Sequence, residues 1–198
     1  MPVITEGNLV FDFPDADAWH AFKYDNQEDR ADTSPNFYRE RVEKIDGIRG
    51  VDIVAGVRPH FLALTLLEVK DFRGHAPDLR EELRRGSLPL EVLQKALHTC
   101  SGLFLGARNH DALLAADVRA AVLAPPHRLE LVFLLAEDRI AASLPEPVRK
   151  KKTQNRRTRR LDMLTQMRRK LAPLGIVCDL ADLDDLPPHC GWTVAPLV

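Results

Sequence analysis

Apolar residues in this chain follow two rhythms. In Val51–Val57 (VDIVAGV) and Phe61–Phe72 (FLALTLLEVKDF) they run almost without a break, which predicts two strands buried on both faces. Arg58-Pro59-His60 between them suits a hairpin connection. Leu129–Leu135 (LELVFLL) predicts a further buried strand. Leu9–Phe13 predicts a short alternating one ended by Pro14, and Ile176–Leu180 and Trp192–Ala195 predict two late ones. The helical rhythm occurs in Leu88–Arg108, where Leu90, Leu93, Leu97 and Phe104 recur at helical spacing. It occurs again in Asp111–Leu123, capped by Asp111 and stopped by Pro125-Pro126, and in Thr158–Leu171, with Leu161, Leu164, Met167 and Leu171 inward. Asp15 is expected to cap a short helix carrying Trp19 and Phe22 on its apolar side. Asp25–Asn36 is polar and contains Pro35, a loop pattern, while Phe37–Ile45 fits either helix or strand. Together these elements predict one α/β domain, residues 1–198, around a mixed central sheet flanked by helices.

Composition narrows the class further. A chain of 198 residues, 45% hydrophobic and 29% charged, can bury a core without staples, which excludes disordered and fibrous readings. No apolar stretch approaches the roughly 20 residues of a bilayer span. Met1–Leu9 has neither the basic region nor the apolar core of a signal peptide, so no membrane and a cytoplasmic location are expected. Cys100, Cys178 and Cys190 cannot all pair within one chain, which fits a reducing compartment.

The net charge of −1 conceals a segregation. Residues 149–170 hold 11 Lys+Arg against one acid, whereas residues 1–46 hold 5 against 11. The basic block Lys150, Lys151, Lys152, Arg156, Arg157, Arg159 and Arg160 is the candidate surface for a polyanion, with Arg168, Arg169 and Lys170 further along. A solvated helix face preceded by a flexible basic linker is the plainer reading of the same residues.

The sharpest chemical signal lies in the hairpin. Leu62, Leu64 and Leu66 share a strand face with Glu68 and Lys70, because the side-chain period is two. Charges at the end of so apolar a strand are costly unless something compensates them. A turn about Pro59-His60 makes paired positions sum to roughly 120, which sets Asp52 opposite Glu68 with Cβ atoms about 5 Å apart. Two carboxylates that close need a proton or a cation between them. A hard divalent cation serves, since Mg²⁺ takes one or two carboxylates and keeps several waters. Lys70 then stands beside that cation, able to orient a water or to neutralise charge developing on a phosphate. A structural salt bridge from Lys70 to Asp52 or Glu68 at a sheet edge is the alternative.

VDIVAGV followed by ALTLLEVKDFRG resembles the core of the PD-(D/E)XK nuclease superfamily, the restriction-endonuclease-like fold, over roughly residues 37–100. The resemblance implies a restriction-endonuclease-like mixed central sheet flanked by helices. It implies Asp52 and Glu68 as ligands of Mg²⁺, with Mn²⁺ able to substitute, together with the Val69 carbonyl, and Lys70 as the catalytic lysine. The proline that names the motif is absent, since Val51 precedes Asp52. By the same resemblance a glutamine on the following helix faces the site, for which Gln94 is the candidate with Lys95 its neighbour. Glu40 and Glu43 are candidates for an acid from a preceding helix.

Other features carry less. His189-Cys190 with Cys178 lacks two separated ligand pairs for zinc. Gly102 and Gly106, four apart, suit close packing, and neither a nucleophile elbow nor a phosphate-binding loop is present. The expected function is a metal-dependent endonuclease hydrolysing DNA phosphodiester bonds, in defence, repair or recombination, alone or as a homodimer or part of a larger complex. The alternatives are a catalytically idle module of the same fold that binds nucleic acid or a protein, and a subunit whose basic helix docks on an acidic partner.

Overall fold

The computed structural model describes residues 3–15, 17–25, 35–58, 61–124 and 128–197. Along them run strands β1 (Val3–Glu6), β2 (Leu9–Asp12) and β3 (Trp19–Lys23), then a π-helical turn at Tyr38–Val42. Strands β4 (Ile53–Val57) and β5 (Ala63–Asp71) follow, then helices α1 (Ala76–Arg85), α2 (Leu88–Arg108) and α3 (Ala116–Leu123). Strand β6 (Arg128–Ala136), helix α4 (Glu146–Leu171), a 3-10 turn at Ala172–Leu174, and strands β7 (Ile176–Ala181) and β8 (Thr193–Pro196) complete the order. The fold is mixed α/β with two sheets.

The larger sheet has the order β3-β4-β5-β6-β7. Its first three strands are an antiparallel meander, and β6 and β7 add in parallel. A parallel neighbour needs a long crossover. Helices α1–α3 supply it between β5 and β6, and α4 supplies it between β6 and β7. On the helical face, Leu64 and Leu66 of β5 and Phe133 and Leu135 of β6 pack with Val92 and Ala96 of α2 and Met163 and Met167 of α4. On the opposite face, Ile53, Leu67, Val132 and Leu134 pack with Leu9, Phe11, Phe13 and Trp192. Cover on both sides is why β5 and β6 read as continuous apolar runs.

Those last four residues belong to or adjoin a second sheet, antiparallel, of order β1-β2-β8. Leu9–Phe13 and Trp192–Ala195 were each expected as strands. Their pairing with one another was not visible, because nothing local links residues about 185 positions apart.

Several expectations change. The helix after Asp15 is a strand: Asp15 accepts the N–H groups of Asp17 and Ala18, a tight turn that feeds β3 rather than a helix. Trp19–Lys23 pairs along β4, from Trp19 opposite Val57 to Lys23 opposite Ile53. Tertiary pairing outweighs the weak capping signal there. Asp111 begins a turn, accepting the Leu113 N–H, and α3 starts at Ala116. Residues 149–157 are not a linker but part of α4, a helix of 26 residues. Lys, Arg and Gln are good helix formers, and a proline in the first turn is compatible with a helix start. Its inward stripe is Met163, Met167 and Leu171, while Leu161 is exposed. Pro59-His60, Pro125-Pro126 and most of the Asp25–Asn36 loop lie outside the described residues.

Helix α2 spans the expected residues but is rotated about its axis. Val92, Lys95, Ala96 and Thr99 are buried, and of the expected stripe Leu93 is buried too, whereas Leu90, Leu97 and Phe104 are exposed. Gly102 and Gly106 bring it close to its neighbours: a Cβ at Gly106 would stand 2.4 Å from the Phe37 ring and one at Gly102 2.8 Å from the Tyr24 hydroxyl. Gly86, with φ of 68°, closes α1 in the left-handed region and lets α2 begin two residues later. That tight corner sets the first turn of α2 over the end of β5.

Candidate metal and nuclease site

Strands β4 and β5 pair with Ile53 opposite Leu67, so the next opposed positions are Asp52 and Glu68. The expected register, summing to 120, is the observed one. Three hydrogen bonds hold Asp52 in place. Its carbonyl accepts the Tyr24 N–H at 2.7 Å, its Oδ2 accepts the Val69 N–H at 2.6 Å, and the preceding Val51 N–H bonds to Thr99 Oγ1 of α2 at 3.0 Å. The backbone around Asp52 is thereby tied to β3 and α2, and its carboxylate to β5.

Glu68 has no solvent exposure, and Asp52 retains 7%. Between them stands Lys95, with Nζ 2.7 Å from Glu68 Oε1 and 3.6 Å from Asp52 Oδ1. Lys70 lies one layer further out, 3.6 Å from Glu68 Oε1 and 3.0 Å from Glu91 Oε1. Arg49 approaches the same Glu91 oxygen at 3.9 Å. Asp52, Glu68 and Lys70, named from the hairpin alone, therefore converge. Lys95 and Glu91 were not named as members, and both come from α2.

Electrostatics follow from burial. Loss of solvent pushes the Glu68 carboxyl up to about 8, the Asp52 charge adds to this, and Lys95 and Lys70 pull it back. Asp52 is raised by burial as well, against the pull of Lys95 and the Val69 N–H. Burial works against the Lys95 charge, but Glu68 and Asp52 outweigh it and hold its pKa above the usual lysine value. Asp25, next to Tyr24, is a third buried carboxyl in the field of Lys95 and Asp52; burial raises it to about 6.

Gln94 is exposed, and the side chain of the same helix that reaches the acids is Lys95. Glu40 pairs with Lys44 at 3.0 Å, and Glu43 is exposed. Lys95 was legible in one respect: it lies on the stripe Val92, Lys95, Ala96, Thr99, at positions i, i+3, i+4 and i+7. A lysine on a buried stripe asks for a buried acid.

Among the described residues, no three His, Cys, Asp or Glu side chains are gathered so as to hold a metal by themselves. The donors that are present suit a different kind of site. Glu68 Oε2 and Asp25 Oδ1 are buried and have no hydrogen-bond partner among the described residues. Asp52 and Glu68 share one buried ammonium, that of Lys95, and the buried Asp25 carboxyl lies in its field. A hard cation held by two carboxylates and a carbonyl, with water completing its shell, fits that deficit of positive charge. Two depressions flank the outer Lys70–Glu91 pair. One, of about 380 Å³, is bordered by Arg49, Gln94, Lys95 and His98; the other, of about 290 Å³, by the acidic Asp71, Asp78 and Glu82.

The basic block divides. Arg156, Arg159 and Arg160 all reach Glu137, just beyond β6, at 3.5 Å for Arg156 and 3.3 Å for Arg160. Arg160 also donates to the Leu135 and Ala181 carbonyls at 3.1 and 2.7 Å. These arginines fasten α4 to the ends of β6 and β7. Lys150 pairs with Glu146 one turn back, at 2.6 Å. Lys151, Lys152 and Arg157 are exposed and remain as the outward cationic set of the seven. Cys178 and Cys190 belong to cores on opposite faces of the larger sheet, which removes a shared zinc site, and all three cysteines are free.

Compared with protein-family models, curated proteins and solved structures, the chain matches none of them. Among the described residues no helix is long and apolar enough to cross a membrane.

Proposed function

We propose that the protein is a Mg²⁺-dependent endonuclease acting on DNA, built on a restriction-endonuclease-like core. The observation that carries this reading is the buried, opposed pair Asp52 and Glu68 with Lys70 two residues along the same strand face. The element order supports it too: an antiparallel meander, a helical crossover, and two further strands in parallel.

In this reading Asp52, Glu68 and the Val69 carbonyl hold the metal, which when bound polarises the phosphodiester and acidifies a water. The chain's own groups do the rest. The Val69 N–H fixes the Asp52 carboxylate. Lys70, which Glu91 holds at 3.0 Å in the metal-free protein, supplies an ammonium for the negative charge that builds on the phosphate oxygens. Lys151, Lys152 and Arg157 take backbone phosphates elsewhere on the duplex, giving affinity without sequence preference.

The test is cleavage of plasmid, linear, branched and single-stranded DNA with Mg²⁺ or Mn²⁺, alongside Asp52→Ala and Lys70→Ala. Activity that both substitutions abolish is the expected result. Equal activity in all three proteins, or none on any substrate, removes the proposal.

The complete burial of Glu68 behind Lys95 favours a second reading, an idle module of the same fold that binds nucleic acid or a protein. Its signature is nucleic-acid or partner binding with no divalent-metal shift in melting temperature.

A further inference from the structure

The central ion pair of the site satisfies only one side of its carboxylate. Lys95 is 7% exposed and donates to Glu68 Oε1 at 2.7 Å, so its charge is balanced inside the protein. The other Glu68 oxygen, Oε2, is buried with no partner among the described residues. Glu68 is thus half satisfied by a monovalent cation on a flexible four-carbon stem. A divalent cation on Asp52 and Glu68 would stand within ion-pair distance of that ammonium and repel it.

The displaced ammonium has somewhere to go. Glu91 lies one helical turn before Lys95, and an acid four residues ahead of a lysine is the favoured order for a pair along a helix. Glu91 and Lys95 border the same depression of about 380 Å³, while Glu68 is buried, so the lysine head reaches Glu91 by swinging outward into that space. Glu91 now holds Lys70 at 3.0 Å. If Glu91 accepts Lys95, its hold on Lys70 weakens.

We propose that Lys95 and Glu91 are positioning residues that couple metal loading to release of Lys70: the cation displaces Lys95 from Glu68, Lys95 moves to Glu91, and Lys70 is freed from Glu91 to face the substrate. This rests on the metal-dependent reading above. It adds a sequence of ion-pair exchanges in which the protein carries its own counter-ion until the metal arrives. No covalent bond between heavy atoms is made or broken; salt-bridge partners are exchanged.

The test is Mn²⁺ affinity of metal-stripped protein, by calorimetry and by electron paramagnetic resonance, at one pH and low salt without nucleic acid. Lys95→Met is expected to bind Mn²⁺ at least about tenfold more tightly, because no resident cation opposes it. Glu91→Gln is expected to bind it more weakly, because the displaced lysine loses its acceptor. Wild-type binding with Lys95→Met no tighter overturns the coupling and leaves the metal reading standing. Wild type that binds no Mn²⁺ overturns both. Should Lys95→Met not fold, chemical modification of lysines in the wild type decides: Lys95 must become more reactive on adding Mn²⁺, and unchanged reactivity overturns the coupling.

Discussion

Lys95 Nζ sits 2.7 Å from Glu68 Oε1 at a place where Glu68 is closed off from solvent. Removing one partner of such a buried pair leaves an uncompensated charge, which costs more than the pair is worth. Above about pH 8, where Glu68 is ionised, Lys95→Ala is therefore expected to lower the stability of metal-stripped protein by about 3–5 kcal/mol, measured by urea unfolding in chelator. Replacing both members, Lys95→Met with Glu68→Leu, is expected to recover most of that loss. A single substitution costing less than about 1 kcal/mol would mean that the pair is not buried in solution.

The raised Glu68 pKa has a signed consequence for stability. Its folded value of about 8 lies above the ordinary glutamate value of 4.5, so folding favours the protonated form. This contribution is full below the unfolded value and is lost as pH rises through the folded one. Metal-stripped wild type should lose stability between about pH 4.5 and 8, and Glu68→Gln should lack that part of the slope. Parallel pH profiles for the two proteins would show that Glu68 is not the titrating group.

Asp52 and Lys70 should separate in a metal assay. Lys70→Ala is expected to keep Mn²⁺ binding while losing about 10²–10³-fold in cleavage rate, the usual cost of one charge-stabilising donor. Asp52→Ala should lose both. If Lys70→Ala loses metal as well, Lys70 acts by shaping the site rather than on the substrate.

The two halves of the basic block should also separate. Charge reversal at Lys151, Lys152 and Arg157 is expected to weaken DNA binding and to make it less salt-dependent. The log–log slope should fall by about 0.9 for each phosphate that is no longer neutralised, with stability unchanged. Arg160→Ala removes the donor that holds the Leu135 and Ala181 carbonyls and should cost about 1–3 kcal/mol in stability. DNA titrations across salt together with denaturation curves check both.

What the sequence made legible follows the range of the forces involved. The opposition of Asp52 and Glu68 could be read because a short hairpin fixes register locally and the period of two then fixes the face. The rotation of α2 could not, because Leu90, Leu97 and Phe104 follow a helical spacing as well as Val92, Ala96 and Thr99 do. Only the sheet beneath decides which stripe is covered, and it covers the one with Lys95. The strand at Trp19–Lys23 and the sheet that joins Leu9–Asp12 to Thr193–Pro196 depend on partners far along the chain. The basic block read as a single surface because sequence shows charge but not Glu137, which turns three of its arginines inward.

The β4–β5 register also bears on the order in which the protein assembles. Gly56 pairs with Leu64, eight residues on, whereas Ala63 of β5 must wait for Arg128 of β6, 65 residues on. Closure entropy favours the shorter loop, so the hairpin closes first and brings Asp52 and Glu68 together before α2 delivers Lys95. In that interval the two acids repel across a nascent hairpin with no resident cation. Asp52→Asn, which keeps an oxygen for the Val69 N–H, should therefore fold faster than wild type in metal-free, low-salt buffer, and stopped-flow refolding that finds equal rates would count against this order. The arrangement that concentrates charge at the candidate site is, on the way to the native state, a barrier that a passing divalent ion would lower.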